Sequence, residues 1–584
     1  MLIKWRFNAF DSEVAYIIDG KEISYREMNS RIKCISRILY NANCSMIGLL
    51  LDRTENLLPI ICACLTCGYT FVPIDPQLPH NRIEYILNNS KVDLVITNRN
   101  HMDVYSETFK VLSVEDTVIS DFIFSDCLQE YCEVKHSVEG DVSRAAYVIY
   151  TSGSTGMPKG VEIGQEALMN MLSGVGEYVE FLPKKRMLST SPISFDMFFA
   201  ETILPLHYGA TVVMANDLEY KNPKHIANLI KKYNVTMLQM TPSKLQMLLN
   251  YDKSFSLLEN ISDVMVGGEC LKEELLVTIK KYSKAKIYNM YGPTEAAVWV
   301  SICNLTYNDN IHLGSPIKNV GLYVIDDNGK IVNNHQSGEI VITGKNLANK
   351  YINDTKLTKE KFIQLFDGEE NIRAYRTGDI GRFDNDILCF LGRKDNQIKI
   401  RGYRVELEEI ESLIASVPGI KASAVIATQQ MDGDVLLCAF IVEDVSVSDK
   451  DIRAYLGKYL PEYMIPMKYY RVDKLMYTFN GKVDRKLLEK RVDELKTSDF
   501  TMLFENEDKE IFSVIAKNID KTIFDAISME TDFCSIGIDS ITFIKIVVAL
   551  ENTFDFVFDD EKLLLSCFPT VKSMIEYVKQ KRNH

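Results

Sequence analysis

Tyr150-Thr151-Ser152-Gly153-Ser154-Thr155-Gly156-Met157-Pro158-Lys159-Gly160 gathers hydroxyls, glycines and a lysine directly behind the apolar run Ala145-Ala146-Tyr147-Val148-Ile149-Tyr150. The run reads as a buried β-strand. The loop is therefore presented at a strand's carboxyl end, where open α/β sheets bind ligands. Glycines let backbone N–H groups approach an anion, Ser and Thr add donors, and Lys159 adds charge, so the stretch reads as a holder for phosphate. It is not the Gly-x-x-x-x-Gly-Lys-Ser/Thr loop of nucleotide hydrolases: counted from Gly153, the second glycine position holds Pro158, and Lys159 is followed by Gly160. A mere surface linker would have no use for the lysine or the buried strand.

Outward from this loop, from about residue 20 to 380, strand-like runs alternate with helical patterns. Pro223 to Tyr233 (helix), Val235 to Met240 (strand), Pro242 to Leu249 (helix) and Val264 to Val266 (strand) are examples. Such alternation predicts α/β architecture, parallel sheets flanked by helices. A small α+β unit follows Arg393: a helix with Leu407, Ile410, Leu413 and Ile414 at helical spacing, strands 422–427 and 435–442, and a helix opened by the capping tetrad Ser448-Asp449-Lys450-Asp451. Residues 493–507 are polar and aperiodic, which suits a linker. Beyond it, four short helices are predicted at 511–524, 540–550, 561–565 and 571–581. The expected organisation is a large subdomain over 1–394, a small one over 395–492, the linker, and a four-helix domain over 508–584. A chain of 584 residues exceeds what one core organises.

The formal charge of −14, without a basic run, argues against nucleic acid as a partner. No apolar stretch approaches the roughly 20 residues needed to span a bilayer, so no membrane association is expected. Met1 to Arg6 lack a signal-peptide core, and a cytoplasmic protein is expected. The 13 cysteines are odd in number and scattered. Cys62, Cys64 and Cys67 lie in an apolar helix-like segment with no Cys/His pair at zinc spacing, which favours core packing over metal.

Further motifs stand in order: Phe71-Val72-Pro73-Ile74-Asp75-Pro76, Asn289-Met290-Tyr291-Gly292-Pro293-Thr294-Glu295, Tyr375-Arg376-Thr377-Gly378-Asp379, Gly392 to Gly402, and Asn480-Gly481-Lys482-Val483-Asp484-Arg485. With the opening loop, this series closely resembles the core motifs of adenylate-forming enzymes, specifically the adenylation domains of nonribosomal peptide synthetases, over residues 10 to 490. Asp532-Phe533-Cys534-Ser535-Ile536-Gly537-Ile538-Asp539-Ser540-Ile541 resembles the phosphopantetheine attachment motif of carrier proteins, which often has Gly where Ile538 stands. Where the family often shows Arg-Gly-Tyr, this chain has Asn349-Lys350-Tyr351, a position to which only a structural contact is assigned.

The resemblance implies activation of a carboxylic acid with ATP and Mg²⁺ to an acyl-adenylate and pyrophosphate, then transfer to the thiol of 4'-phosphopantetheine. It places Thr151, Ser152, Gly153, Ser154, Thr155, Gly156 and Lys159 on the triphosphate, with Gly268 and Gly292 also lining the nucleotide. Tyr291 stacks on adenine, Asn289 reads its amino edge, Asp379 accepts from the ribose hydroxyls and Arg393 supports that end. Glu295 holds Mg²⁺, and Lys482, bridging carboxylate and α-phosphate, is catalytic together with Thr155 and Glu295. Asp395 is the hinge of a rotating small domain, Gly402 lines the thiol entry path, and Ser540 carries the phosphopantetheine arm.

Asp196, in Ser194-Phe195-Asp196-Met197, matches the aspartate that binds a substrate α-ammonium, which implies an amino acid substrate. Aligned without gaps, the other pocket positions are Met197, Ala200, Gln239, Met265, Gly267, Met290, Val298 and Trp299, closed by Lys482. Met and Trp around Ala and Gly suggest a filled pocket, which favours a small side chain. The set is similar to the pocket of glycine-activating domains, which implies glycine first, although cysteine, alanine and threonine pockets share several of these residues and one methylene is worth only about 1–3 kcal/mol of discrimination. The expected protein is a free-standing adenylation and carrier didomain served by a phosphopantetheinyl transferase, with condensation or tailoring enzymes acting downstream in trans. The alternatives are an acyl- or aryl-acid coenzyme A ligase of the same superfamily and a non-catalytic carrier or interaction protein.

Overall fold

The computed structural model describes residues 5–114 except 6 and 43, and 144–495 except 154–155, 401, 430–434 and 478–482. Toward the carboxyl end it describes 510–512, 514–515, 518–519, 533, 538 and 540–582. The chain divides into two compact units. The first holds Met1–Leu78, Ile83–Thr151 and Pro158–Asn396; the second holds Pro79–Arg82, Ser152–Met157 and Gln397–His584.

The first unit is built on three sheets. In the nine-stranded sheet the central strands Lys286–Tyr291, Asp263–Gly267, Met237–Met240, Arg186–Ser189, Thr211–Met214 and Val14–Ile18 run parallel in that order, with antiparallel strands at both edges. Their near-continuous apolar character fits burial on both faces. Helices of the predicted kind connect them. Pro223–Lys232 buries Ile226, Ala227, Leu229 and Ile230 along one stripe. Its start is fixed by Pro223 in the first turn and by the Asn222 side chain, which accepts from Lys224 N. Pro242–Tyr251 begins the same way, capped by Thr241. The carboxyl ends of the parallel strands bring Gln239, Gly267 and Asn289 to one edge of the sheet.

In the seven-stranded sheet, Ala145–Thr151 pairs in parallel with Thr70–Ile74 and antiparallel with Lys159–Gly164. The phosphate-type loop is thus the tip of a β-hairpin, with Thr151 opposite Lys159 at its base. A helix does not follow it, as one would in a hydrolase loop, because Val161 and Ile163 alternate inward and continue the sheet.

The third sheet departs from the predicted parallel pattern. Strands between Val320 and Arg393 pair antiparallel throughout, with Asn371–Asp384 at the centre. The helix Thr355–Lys361 joins Ser337–Gly344 to Phe362–Phe366, which pair on opposite sides of Asn371–Asp384, and the other connections are hairpins. The helix Leu57–Cys67 buries Cys62, Cys64 and Cys67 among Leu, Ile and Ala, and burial pushes the Cys62 and Cys64 thiols up. They pack as core.

The second unit contains the helix Leu407–Ala415, the paired strands Ile420–Gln429 and Val435–Glu443, and the helix Asp449–Leu456. Ser448 caps that helix: its hydroxyl accepts from Asp451 N at 3.1 Å and lies 2.6 Å from Asp451 Oδ2. Toward the carboxyl end, the helices Ser540–Phe554 and Val571–Arg582 share a core with Phe533, Phe558 and Phe568. The predicted helix 561–565 is instead a pair of 3₁₀ turns, Asp560–Lys562 and Leu565–Cys567, too short for an α-helical turn to close. Much of 511–524 lies outside the described residues. Among the described residues no helix is long and apolar enough to cross a membrane.

Candidate active site

Asp196 closes the loop that follows strand Arg186–Ser189 and sits just before the short helix Met197–Glu201. Asp196 is almost fully buried, at 6 % exposure. The helix carries Met197 and Ala200, while Gln239, Met265, Gly267 and Met290 come from three adjacent parallel strands. Trp299 is the floor. Its indole N–H donates to Gln239 Oε1 at 3.2 Å, and Gln239 Nε2 donates to Met197 O at 3.4 Å. A Cβ on Gly267 would lie 2.6 Å from Trp299 Cη2 and 2.6 Å from Met290 O, so the ring rests on glycine backbone. All these side chains are buried, and the space is filled by bulk rather than lined by polar groups.

The turn that delivers Trp299 is strained. After the 3₁₀ turn Thr294–Ala296, Ala297 and Val298 have φ of 51° and 70°, in the left-handed region that β-branched residues avoid. Two such residues cost about 1–3 kcal/mol each. The buried Asn346 amide holds the turn by donating to Trp299 O at 3.0 Å. Gly292 lets it close, since a Cβ there would meet Val298 O at 2.2 Å. Neither contact was legible in the sequence. Tyr147 is a further buried neighbour: its ring centroid lies 4.5 Å from that of Phe199, and its hydroxyl has no hydrogen-bond partner among the described residues. Burial, then the Asp196 charge, pushes this phenol well up.

The opposite end is charged. Asp379 Oδ2 accepts from the Tyr291 hydroxyl at 2.6 Å, and Asp379 Oδ1 lies 2.5 Å from Arg393 Nη1. Arg393 also forks onto Asp395, at 2.7 Å and 2.8 Å. One guanidinium thus joins the expected ribose acceptor to the expected hinge residue. Gly378, at φ 76°, makes room for it: a Cβ would meet Arg393 Nη2 and Asp395 Oδ2 at 2.8 Å each. Burial and the neighbouring Asp379 push the Tyr291 phenol well above its ordinary value, so it stays a donor. Asn289 donates to His312 O at 2.8 Å, which fixes its amide plane.

Glu295 is fully buried. Its Oε1 accepts from the Tyr351 hydroxyl at 2.6 Å and lies 3.7 Å from Lys159 Nζ, which stands 5.1 Å over the Tyr351 ring. Tyr351, expected to be only structural, therefore orients the carboxylate expected to hold the metal. The geometry fits Mg-ATP in two respects. A buried carboxylate with one lysine beside it can share a cation, and the Thr151 hydroxyl is buried at the strand end without a partner among the described residues.

Within the second unit, Gly153 N donates to Glu409 Oε2 at 3.1 Å, and Glu409 Oε1 pairs with Arg82 at 2.8 Å. The loop N–H expected on phosphate here holds a carboxylate, another anion. Ser152 donates to Arg404 O at 2.8 Å, and Gly156, at φ 85°, adopts the left-handed turn that glycine permits. Gly402 and Gly268 also have positive φ, 86° and 84°. Ser154, Thr155 and Lys482 lie outside the described residues, as does the Ser540 side chain, although Ser540 is the first residue of its helix.

Family models match the chain at three places: AMP-binding enzyme over residues 3–352, AMP-binding enzyme C-terminal domain over 409–482, and phosphopantetheine attachment site over 514–578. The chain belongs to the AMP-binding enzyme family and joins an adenylation domain of the nonribosomal peptide synthetase kind to a carrier domain. With that membership go ATP, Mg²⁺ and 4'-phosphopantetheine as cofactors.

It is 32 % identical over 481 residues to a dimodular nonribosomal peptide synthase of Bacillus subtilis (strain 168), covering 81 % of this chain and 20 % of that one. It spans only 8 % of tyrocidine synthase 3 of Brevibacillus parabrevis, at 31 % identity. Among solved structures, a holo synthetase protein with adenylation and PCP domains, bound to a vinylsulfonamide inhibitor, matches with TM-score 0.81 and 21 % identity over 98 % of this chain and 95 % of that one. A holo four-domain synthetase bound to AMP and glycine matches with TM-score 0.58 and 26 % identity, over 98 % of this chain and 42 % of that one.

Proposed function

We propose that the chain activates glycine, or failing that another small amino acid, with Mg-ATP to aminoacyl-AMP and pyrophosphate, and loads it on the phosphopantetheine arm of its own carrier domain. The observation that carries the substrate reading is Trp299 lying on the Gly267 backbone with its N–H held by Gln239, which leaves the side-chain end of the pocket filled. A buried Asp196 supports an α-ammonium group at the other end, since a buried carboxylate is tolerated best with a cationic partner. The synthetase bound to AMP and glycine, at 26 % identity, is in keeping with this.

In this reading Asp196 orients the amino acid, and Lys482 and the loop donors stabilise charge as the carboxylate attacks the α-phosphate. Glu295, aimed by Tyr351 and balanced by Lys159, holds the cation; bound Mg²⁺ supplies charge neutralisation on the phosphate oxygens. Asp379 and Arg393 grip the ribose end. The domains assigned are 1–394 and 395–492 for adenylation, 493–507 as linker and 508–584 as carrier. A phosphopantetheinyl transferase modifies Ser540, and downstream enzymes take the aminoacyl group in trans.

The test is amino-acid-dependent pyrophosphate exchange across the common amino acids, with glycine expected to give the largest kcat/KM. Exchange with none of them, or a preference for a large side chain, overturns the reading. Mass spectrometry after treatment with a phosphopantetheinyl transferase and coenzyme A checks the carrier: the wild type gains the arm and Ser540→Ala does not.

A further inference from the structure

The short segment Ser189-Thr190-Ser191, where the strand Arg186–Ser189 ends and the Asp196 loop begins, is gripped by three ionisable side chains that the reaction does not use. Glu201, fully buried, accepts from Thr190 N at 2.7 Å and Ser191 N at 2.8 Å with Oε2, and from the Ser191 hydroxyl with Oε1. Lys244 Nζ donates to Thr190 O at 2.7 Å. Arg53, at 3 % exposure, donates to Ser189 O at 2.8 Å, to Ala215 O at 2.5 Å and to Ser191 O. The N–H groups of Thr190 and Ser191 and the carbonyls of all three residues therefore end on charged groups.

The sources of the three side chains matter. Glu201 is the last residue of the helix Met197–Glu201, which carries Met197 and Ala200. Lys244 lies on the helix that follows Gln239 and its strand. Glu201 therefore closes the segment from Thr190 through Asp196 into a ring, and Lys244 ties that ring to the strand that supplies Gln239. Such expensive groups could be replaced by apolar packing at little cost in stability. What apolar packing cannot supply is a fixed direction for each backbone group.

The geometry points to Arg53, Glu201 and Lys244 as a charged clamp that sets Asp196 at its working distance from Gln239 and Trp299, making them positioning residues for the amino acid and not for ATP. The inference rests on the proposal that Asp196 binds the substrate α-ammonium. Burial pushes the Lys244 amine down to about 8, Glu201 opposing the shift and Arg53 adding to it. Asp217 and Asp75 act on Arg53, and Tyr220 faces both cations, its ring centroid 5.7 Å from Arg53 and 5.6 Å from Lys244. Lys244 thus gives up its proton as the pH rises through about 8, below the ordinary range of an amine. Above pH 8 the clamp loses its cation on Thr190 O, and the amino acid KM rises.

The experiment is steady-state pyrophosphate exchange on the full chain with glycine and ATP varied separately, for wild type, Lys244→Met, Lys244→Arg and Glu201→Gln, with melting temperatures alongside. Lys244→Met is expected to raise the glycine KM about 10-fold or more, as a displaced binding group does, with the ATP KM within about twofold. Lys244→Arg restores most of it and removes the inflection near pH 8 from its own glycine KM profile, so that the ratio of wild-type to variant KM rises through that pH. The clamp is overturned if Lys244→Met leaves the glycine KM unchanged, if both KM values move together with the melting temperature, or if Lys244→Arg keeps the inflection. Should Lys244→Met not fold, Glu201→Gln decides by the same KM split. Wild-type protein that exchanges with no amino acid overturns the substrate reading and the clamp together, whereas normal wild-type exchange with an unmoved Lys244→Met overturns the clamp alone.

Discussion

Under the proposed function, the nucleotide end and the amino-acid end of the site are built by opposite means. At the first, charges are bound to charges: Arg393 spans Asp379 and Asp395, and Lys159 sits beside a buried Glu295. At the second, one carboxylate stands against a wall of methionines and a tryptophan whose indole N–H is anchored by Gln239. The difference follows from the ligands. A triphosphate and a cation are recognised by charge and direction, whereas a small side chain is recognised by the space denied to anything larger. Substitutions at the two ends should therefore fail differently, in catalysis and ATP affinity at one, in selectivity at the other.

The largest effect is expected at Glu295. Replacing it with Gln removes the buried anion that balances Lys159, and kcat for exchange should fall about 100-fold or more. A stopped assay across a Mg²⁺ titration checks this; activity within a few-fold of wild type at ordinary Mg²⁺ would remove Glu295 from the metal role. Arg393→Ala comes next. It strips Asp379 and the exposed Asp395 of their shared cation, and for the mostly buried Asp379 that loss is strongly destabilising. The ATP KM should rise about 10- to 100-fold with the glycine KM nearly unmoved. An equal rise in both KM values would erase the distinction between the two ends.

The same contrast governs what could be read from the chain. The strand 145–150, the helices after Pro223 and Pro242, and the capped helix at Ser448 follow from apolar periodicity and capping residues, which act locally. The antiparallel sheet between Val320 and Arg393 did not, because period-two runs say which residues face inward but not which strand is the partner. In the site, the charged motifs were visible since each is a short contiguous run. Tyr351, Asn346, Tyr147 and the clamp on Ser189–Ser191 were not. Each acts through a contact between residues separated in the chain, such as Tyr351 on Glu295, and a short run of sequence does not show which residues will meet. Lone Glu201 and Lys244 look like any helix charges until burial is known.

At the amino-acid end the predicted effects are smaller and concern choice. Trp299→Leu keeps an apolar floor but uncovers the Gly267 backbone, so alanine and larger residues should gain on glycine by about 10- to 100-fold in relative kcat/KM. Loss of activity toward every amino acid, with a lowered melting temperature, would instead make Trp299 a core residue, since truncating a buried tryptophan costs about 3–5 kcal/mol when taken to alanine. Gln239→Leu should do least. It leaves the indole N–H without its acceptor, a penalty of about 1–3 kcal/mol for a buried donor. Because the ring is still trapped between Gly267 and the strained turn at Ala297 and Val298, most of that cost should appear as a lower melting temperature and only a few-fold change in selectivity. If Gln239→Leu relaxes selectivity as far as Trp299→Leu does, the hydrogen bond and not bulk defines the pocket, and the two ends of the site are more alike than their composition suggests.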